Sequence, residues 1–230
     1  MNRFCLLLTV LTVLGAAGDA PQGQLMLPGD NWKDNVPTQS GEKWLALQNS
    51  RGLSALSTVT VIVTKKANDD MRPLTVSIKE GFSPVFLVRG IKGLSPGPAR
   101  TVFEGLLALD WYRGAWFYDL GPTQRVLYVD AVPAEIKYLP RGKRAERGYH
   151  LVLTSSSEKI RQYIMVLKGR PSKVPYLRWA GDLDHDGRID LLLDVETGEA
   201  AGATYQLWLS SHAKQGELVG LVATLRDPAC

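Results

Sequence analysis

The chain is poor in cysteine and histidine and has no long apolar run, and each shortage narrows what it can be. Of its two cysteines, Cys5 falls within an apolar N-terminal stretch and Cys230 is the last residue. If Cys5 leaves with that stretch, Cys230 is the one remaining thiol. An internal disulfide framework is then excluded, and stability must come from packing or from a metal. A terminal thiol can still pair with a second chain, or be an incidental part of a frayed tail. The three histidines, His150, His185 and His212, show no His-Glu-x-x-His or other zinc spacing. No segment approaches the roughly 20 apolar residues of a membrane-spanning helix.

What is present begins with an address. Arg3 supplies a positive start, Phe4 to Val13 form a short apolar run, and Gly15-Ala16-Ala17-Gly18 provide small residues for cleavage. This reads as a secretory signal peptide over residues 1–18, and it predicts a secreted or periplasmic protein without a membrane span. The net charge is +4, and part of the surplus gathers in Lys137, Arg141, Lys143, Arg144 and Arg147, with Glu146 as the one acid among them. Only Tyr138 and Tyr149 flank that run. The aromatic interleaving of a nucleic-acid groove is thin, and a solvated basic loop is expected.

Period-two alternation dominates, and helical periodicity is missing. Val59, Val61 and Val63 alternate with Thr58, Thr60 and Thr64, and Leu74, Val76 and Ile78 alternate with Thr75, Ser77 and Lys79. About a dozen short strands at spacings of roughly 8–12 residues predict an all-β antiparallel β-sandwich. The basic segment 140–148 is the best candidate boundary. Two packed lobes are expected, an immunoglobulin-like one over 19–139 and a second over 148–230; one continuous sandwich is the alternative. The Gly-, Pro- and Gln-rich residues after the signal are expected to form a tail outside the core.

The most specific signal is Gly181-Asp182-Leu183-Asp184-His185-Asp186-Gly187-Arg188-Ile189-Asp190. Aspartates fall at loop positions 1, 3, 5 and 9, with glycine at position 6. Alternate carboxylates converge, the glycine permits a sharp turn, and the Arg188 carbonyl at position 7 can add an oxygen. Such all-oxygen donors suit a hard cation, calcium before others. An EF-hand or dockerin loop needs an oxygen ligand at position 12, where this chain has Leu193 within the β-prone run Ile189–Leu193. A strand–loop–strand type remains.

Residues 179–192 resemble the calcium loop of FG-GAP/VCBS repeats, the blades of integrin α-subunit propellers. The resemblance implies carboxylate ligands at Asp182, Asp184, Asp186 and Asp190, a carbonyl ligand at Arg188, and His185 pointing outward. Asp194 falls outside the pattern. The loop occurs once, and a single loop cannot make a propeller, so a structural calcium clip is expected.

No catalytic set stands out. Ser210-Ser211-His212 suggests a serine hydrolase, but neighbours along a strand face opposite ways, and a strand end with polar caps is expected. The run Trp111-Tyr112-Arg113-Gly114-Ala115-Trp116-Phe117-Tyr118 could stack on a sugar through Trp111, Tyr112 and Trp116, or fill a hairpin core. The expected function is therefore a non-enzymatic, exported calcium-binding module for adhesion or envelope association, with a protein or glycan partner and no nucleic acid. The alternative is a carbohydrate-binding accessory domain or hydrolase using residues 111–118.

Overall fold

The alternating valines and threonines do form strands, because each strand buries one side of its pleat and leaves the other in water. The computed structural model describes residues 23–32, 36–50, 53–65, 74–109, 116–119, 124–133, 147–167, 174–195 and 204–226. In chain order the strands are β1 (Gln24–Met26), β2 (Gly29–Trp32), β3 (Lys43–Ser50), β4 (Leu53–Lys65) and β5 (Leu74–Ile78). Next come β6 (Phe86–Arg89), β7 (Gly97–Ala108), β8 (Trp116–Asp119), β9 (Gln124–Pro133) and β10 (Arg147–Ser155). The last are β11 (Ile160–Leu167), β12 (Tyr176–Asp182), β13 (Asp190–Val195), β14 (Thr204–Leu209) and β15 (Gly220–Arg226). The described residues include no α-helix, only a 3-10 turn at Ser210–His212. None of their helices is long and apolar enough to cross a membrane. The all-β expectation holds.

Two antiparallel sheets result. The larger runs β1-β6-β3-β4-β7-β12-β13-β14-β15, with β5 on the far half of β4 and β2 on β5. Its ends meet: the Gly23 N–H donates to the Val222 carbonyl at 3.0 Å, and Gly23 bridges Ala223 in parallel. The sheet is thus nearly closed. The smaller sheet has the order β11-β10-β9-β8.

The β12–β13 pair is buried on both faces. Trp179 and Leu192 join the core inside the large sheet, with Trp44, Val59, Phe86 and Leu207. Leu177, Ala180, Leu191, Leu193 and Val195 face the other way, onto Leu127, Tyr149, Leu151 and Leu153 of the smaller sheet. A register shift between Leu177 and Trp179 lets Leu177 and Ala180 share a face although they are three residues apart. The unbroken Leu191-Leu192-Leu193 run is explained by this double cover. Across the interior, Phe86 meets Trp179 edge to face at 5.8 Å.

One expectation is corrected. The segment after the signal is not a tail outside the core: Leu25, Met26 and Trp32 are buried there. β1 and β2 are three and four residues long, too short to display a period. Large-sheet pairing runs from β4 through β7 to β12, and β9 pairs β10 in the smaller sheet. Double cover of β12–β13 draws strands from both expected lobes. Residues 1–22, the basic run 137–146 and Cys230 lie outside the described residues.

The register of β7 against β12 depends on Gly181, where a Cβ would lie 2.1 Å from the Arg100 carbonyl oxygen and 2.5 Å from the Trp179 ring. Gly181→Ala is expected to cost about 3 kcal/mol, the upper end for overpacking. Gly41→Ala, at φ 93° with no atom within 4 Å, should cost about 1–2 kcal/mol from backbone conformation alone. Urea unfolding followed by tryptophan fluorescence measures both, and equal losses would contradict the close approach.

Candidate metal centre

β12 ends at Asp182 and β13 starts at Asp190, and the Gly181–Asp190 pair closes the loop between them. Apolar pegs hold both ends of that loop. Leu183 sinks into the core inside the large sheet and Ile189 into the core between the sheets, leaving residues 185–188 exposed. His185 and Gly187 take left-handed backbone, at φ 63° and 77°. Glycine does this at no steric cost. His185 is exposed, and its ring lies beside Gly97.

Backbone N–H groups of the loop orient its carboxylates. Gly187 donates to Asp182 Oδ2 at 3.0 Å, Asp186 to Asp184 Oδ1 at 3.4 Å, and Arg188 to Asp186 Oδ1 at 2.8 Å. Leu183 donates to Asp190 Oδ2 at 2.7 Å. Asp182, Asp184 and Asp190 each offer one oxygen, and the three lie within 4.8 Å of one another. Asp186 stands outside that group. The Arg188 side chain pairs with Glu158 at 3.6 Å. Asp194 is four residues along β13, about 13 Å away at the usual strand rise, and takes no part in the loop.

A second segment closes over these acids, and the sequence reading missed its role. The Ser210 N–H donates to Asp190 Oδ1 at 2.8 Å, and Ser210 Oγ lies 2.8 Å from Asp186 Oδ2 and 2.9 Å from Asp190 Oδ1. Ser211 Oγ donates to Asp184 Oδ2. Pairing of Leu191 with Trp208 brings the end of β14 beside Asp190. The 3-10 turn then lets consecutive serines face the same loop, which an extended strand would forbid. His212 Nε2 contacts the Lys92 carbonyl at 2.9 Å.

The site is short of positive charge and of donors. Asp190 has no exposed surface. Burial, reinforced by the Asp184 charge, pushes its carboxyl well above the usual carboxylate range. Burial also raises Asp182, against the Gly187 and His185 N–H groups that favour its charged form. Asp182 Oδ1 is buried with no hydrogen-bond partner among the described residues. A hydroxyl carries one proton, so Ser210 Oγ can serve Asp186 or Asp190 but not both. Unmatched oxygens of this kind suit a hard cation, and Asp182, Asp184 and Asp190 are the residues placed to hold one.

The buried Arg125 was also missed by the sequence reading. Only 1 % exposed, it donates to the carbonyls of Ile189 at 3.4 Å and Leu218 at 3.0 Å, and pairs with Glu158 at 3.3 Å. Burial lowers its pKa, and the Glu158 carboxylate opposes that shift. Gln162 completes the clamp. Its amide donates to the Val219 carbonyl at 2.7 Å and accepts from the N–H groups of Leu218 and Val219 at 2.7 and 3.0 Å.

Other candidates do not assemble. Gly93-Leu94-Ser95-Pro96-Gly97 has Gly-x-Ser-x-Gly spacing, but it joins β6 to β7 and not a strand to a helix, so it makes no nucleophile elbow. Trp111 and Tyr112 lie outside the described residues, and Trp116 opens β8, which pairs with β9. A surface cleft of about 210 Å³ between Lys43, Trp44, Thr58, Arg89 and Leu94 offers little free charge. Arg89 is committed to Glu42 at 2.6 Å, to Gln24 at 2.7 Å and to the Trp44 ring.

Arg125→Met is expected to destabilise the fold by about 3–5 kcal/mol, because it leaves the Ile189 and Leu218 carbonyls without their donor and removes one partner of the half-buried Glu158. Glu158→Gln should cost less, since Arg125 keeps both carbonyls. Chemical denaturation provides the comparison, and an Arg125→Met protein within about 1 kcal/mol of the parent would refute the clamp. No family model, curated protein or solved structure matches this chain.

Proposed function

We propose that this is an exported calcium-binding β protein whose ion is structural and which works by binding a protein or glycan surface. The observation that carries the reading is the convergence of Asp182, Asp184 and Asp190 oxygens around a buried, unpartnered Asp182 Oδ1. Calcium fits this donor set because every candidate ligand is a hard oxygen. Bound there, it supplies charge neutralisation and fixes the β12–β13 turn. Asp186 and the Arg188 carbonyl join in the fuller ligand set that the FG-GAP/VCBS-like spacing implies. A non-catalytic role is supported by the commitments of Ser210, Ser211 and His212, whose polar atoms are spent on the loop acids and the Lys92 carbonyl.

A thermal melt in calcium and in chelator tests the reading. With dissociation constants near 10⁻⁴–10⁻³ M, about 1 mM calcium should add roughly 0.4–1.4 kcal/mol, and micromolar binding about 4. That is a shift of about 1–6 °C for the weaker range in a chain of this size. Asp184→Ala should abolish the shift. A parent that melts identically in both buffers would end the proposal.

A further inference from the structure

We propose that the cleft at the end of the large sheet binds a small amphipathic carboxylate, an acid with a short apolar tail. The cleft is separate from the aspartate loop, and its ligand does not depend on a bound ion.

The strand register decides what lines it. Leu45 pairs with Thr58 on β4 and with Val88 on β6, so these three side chains share one face. Phe86, two residues before Val88, lies on that same face and meets Trp179 across the interior of the large sheet. The cleft of about 210 Å³ is therefore the mouth of that interior, a common position for a ligand in a closed sheet. Ile91 and Leu94, from the segment between β6 and β7, form its other wall. Leu45 and Leu94 pack on the core yet are only half-buried, which leaves apolar surface open at the mouth. An apolar cavity of about 150 Å³ takes benzene, so a tail of about five methylenes has room here.

The rim supplies the head-group chemistry. Lys43 and Thr60 are register partners two residues further out on the same face, and Lys43 Nζ donates to Thr60 Oγ1 at 2.6 Å. An ammonium has three donors, and two remain. Among the described residues Lys43 makes no ion pair. The neighbouring charges are already engaged: Arg89 with Glu42, Gln24 and the Trp44 ring, and Glu80 with the Thr60 N–H at 3.0 and 3.1 Å. One cation with spare donors above an apolar wall favours an anion that carries an apolar tail. A bare anion gains nothing from Leu45 or Leu94, and an amine is repelled by Lys43.

Lys43 is exposed, so Lys43→Gln and Lys43→Arg should fold as the parent does. Sodium hexanoate is titrated into isotope-labelled full-length protein and followed by amide NMR, with acetate and hexylammonium as controls for tail and head group. The amides of Leu45, Thr58, Val88 and Leu94 should shift together, with a dissociation constant of about 1 mM set by tail burial. Lys43→Gln should bind about tenfold more weakly, and Lys43→Arg like the parent. Leu94→Trp, which fills the mouth, should abolish binding; the Lys43 pair decides the matter even if that variant does not fold. Parent amides that stay still up to about 10 mM hexanoate would overturn the site. So would an equal response to acetate or hexylammonium, or unchanged hexanoate affinity in Lys43→Gln.

Discussion

The β12–β13 hairpin has no free face, and the rest of the molecule is arranged by that constraint. Trp179 and Leu192 need the interior of the nearly closed sheet, while Leu177, Leu191, Leu193 and Val195 need a second layer. Fully burying a leucine contributes about 1.5–3 kcal/mol, so neither cover is dispensable. The nearly closed large sheet provides one and the four-stranded sheet the other. A hairpin enclosed in this way can place charge only at its ends. Its exposed turn is where the acidic residues collect, and Leu183 and Ile189 tie that turn into both cores. The geometry of the aspartates is therefore set by apolar packing beneath them.

Enclosure also creates polar debts. The backbone at Leu218–Val219 leads into β15 beneath the smaller sheet, where water cannot satisfy it. Arg125 and Gln162 reach over from β9 and β11 and take the place of a missing strand. The same guanidinium touches the Ile189 carbonyl, one residue before Asp190, and Asp186 helps to keep it charged, after Glu158. A buried guanidinium and a buried carboxyl thus sit at neighbouring points of one turn. The hydrogen bonds of Arg125 nevertheless go to its carbonyls and to Glu158.

Much of this was legible in the residues, and the exceptions have physical causes. Val59–Val63 and Leu74–Ile78 announced strands because a half-buried strand writes its period into the sequence. The apolar run 191–193 announced a strand but not its double cover, since continuous burial erases the period. β1 and β2 were unreadable because three or four residues carry no pattern. The aspartate register stood out because the potential ligands are local. Ser210 and Ser211 did not, because only the β13–β14 pairing and the 3-10 turn bring them to Asp184, Asp186 and Asp190. Arg125 looked like any basic residue in a strand. Its burial depends on Leu218 and Glu158, which are distant in sequence.

Carboxylates crowded in a half-buried turn have two ways to relieve their repulsion, a proton or a cation. A proton joins two oxygens and answers one shortage. Here there are two, the unpartnered Asp182 Oδ1 and the Ser210 hydroxyl shared between Asp186 and Asp190. Protonating Asp190 supplies a donor towards Ser210 and leaves Asp182 as it was; protonating Asp182 leaves Ser210 short. A divalent ion gathers six to eight oxygens at once, so it can meet both demands without a second titration. The proposed ion also accounts for a feature a proton does not, the turning of separate carboxylates towards one point. Acids that needed only protons would be as well served in pairs.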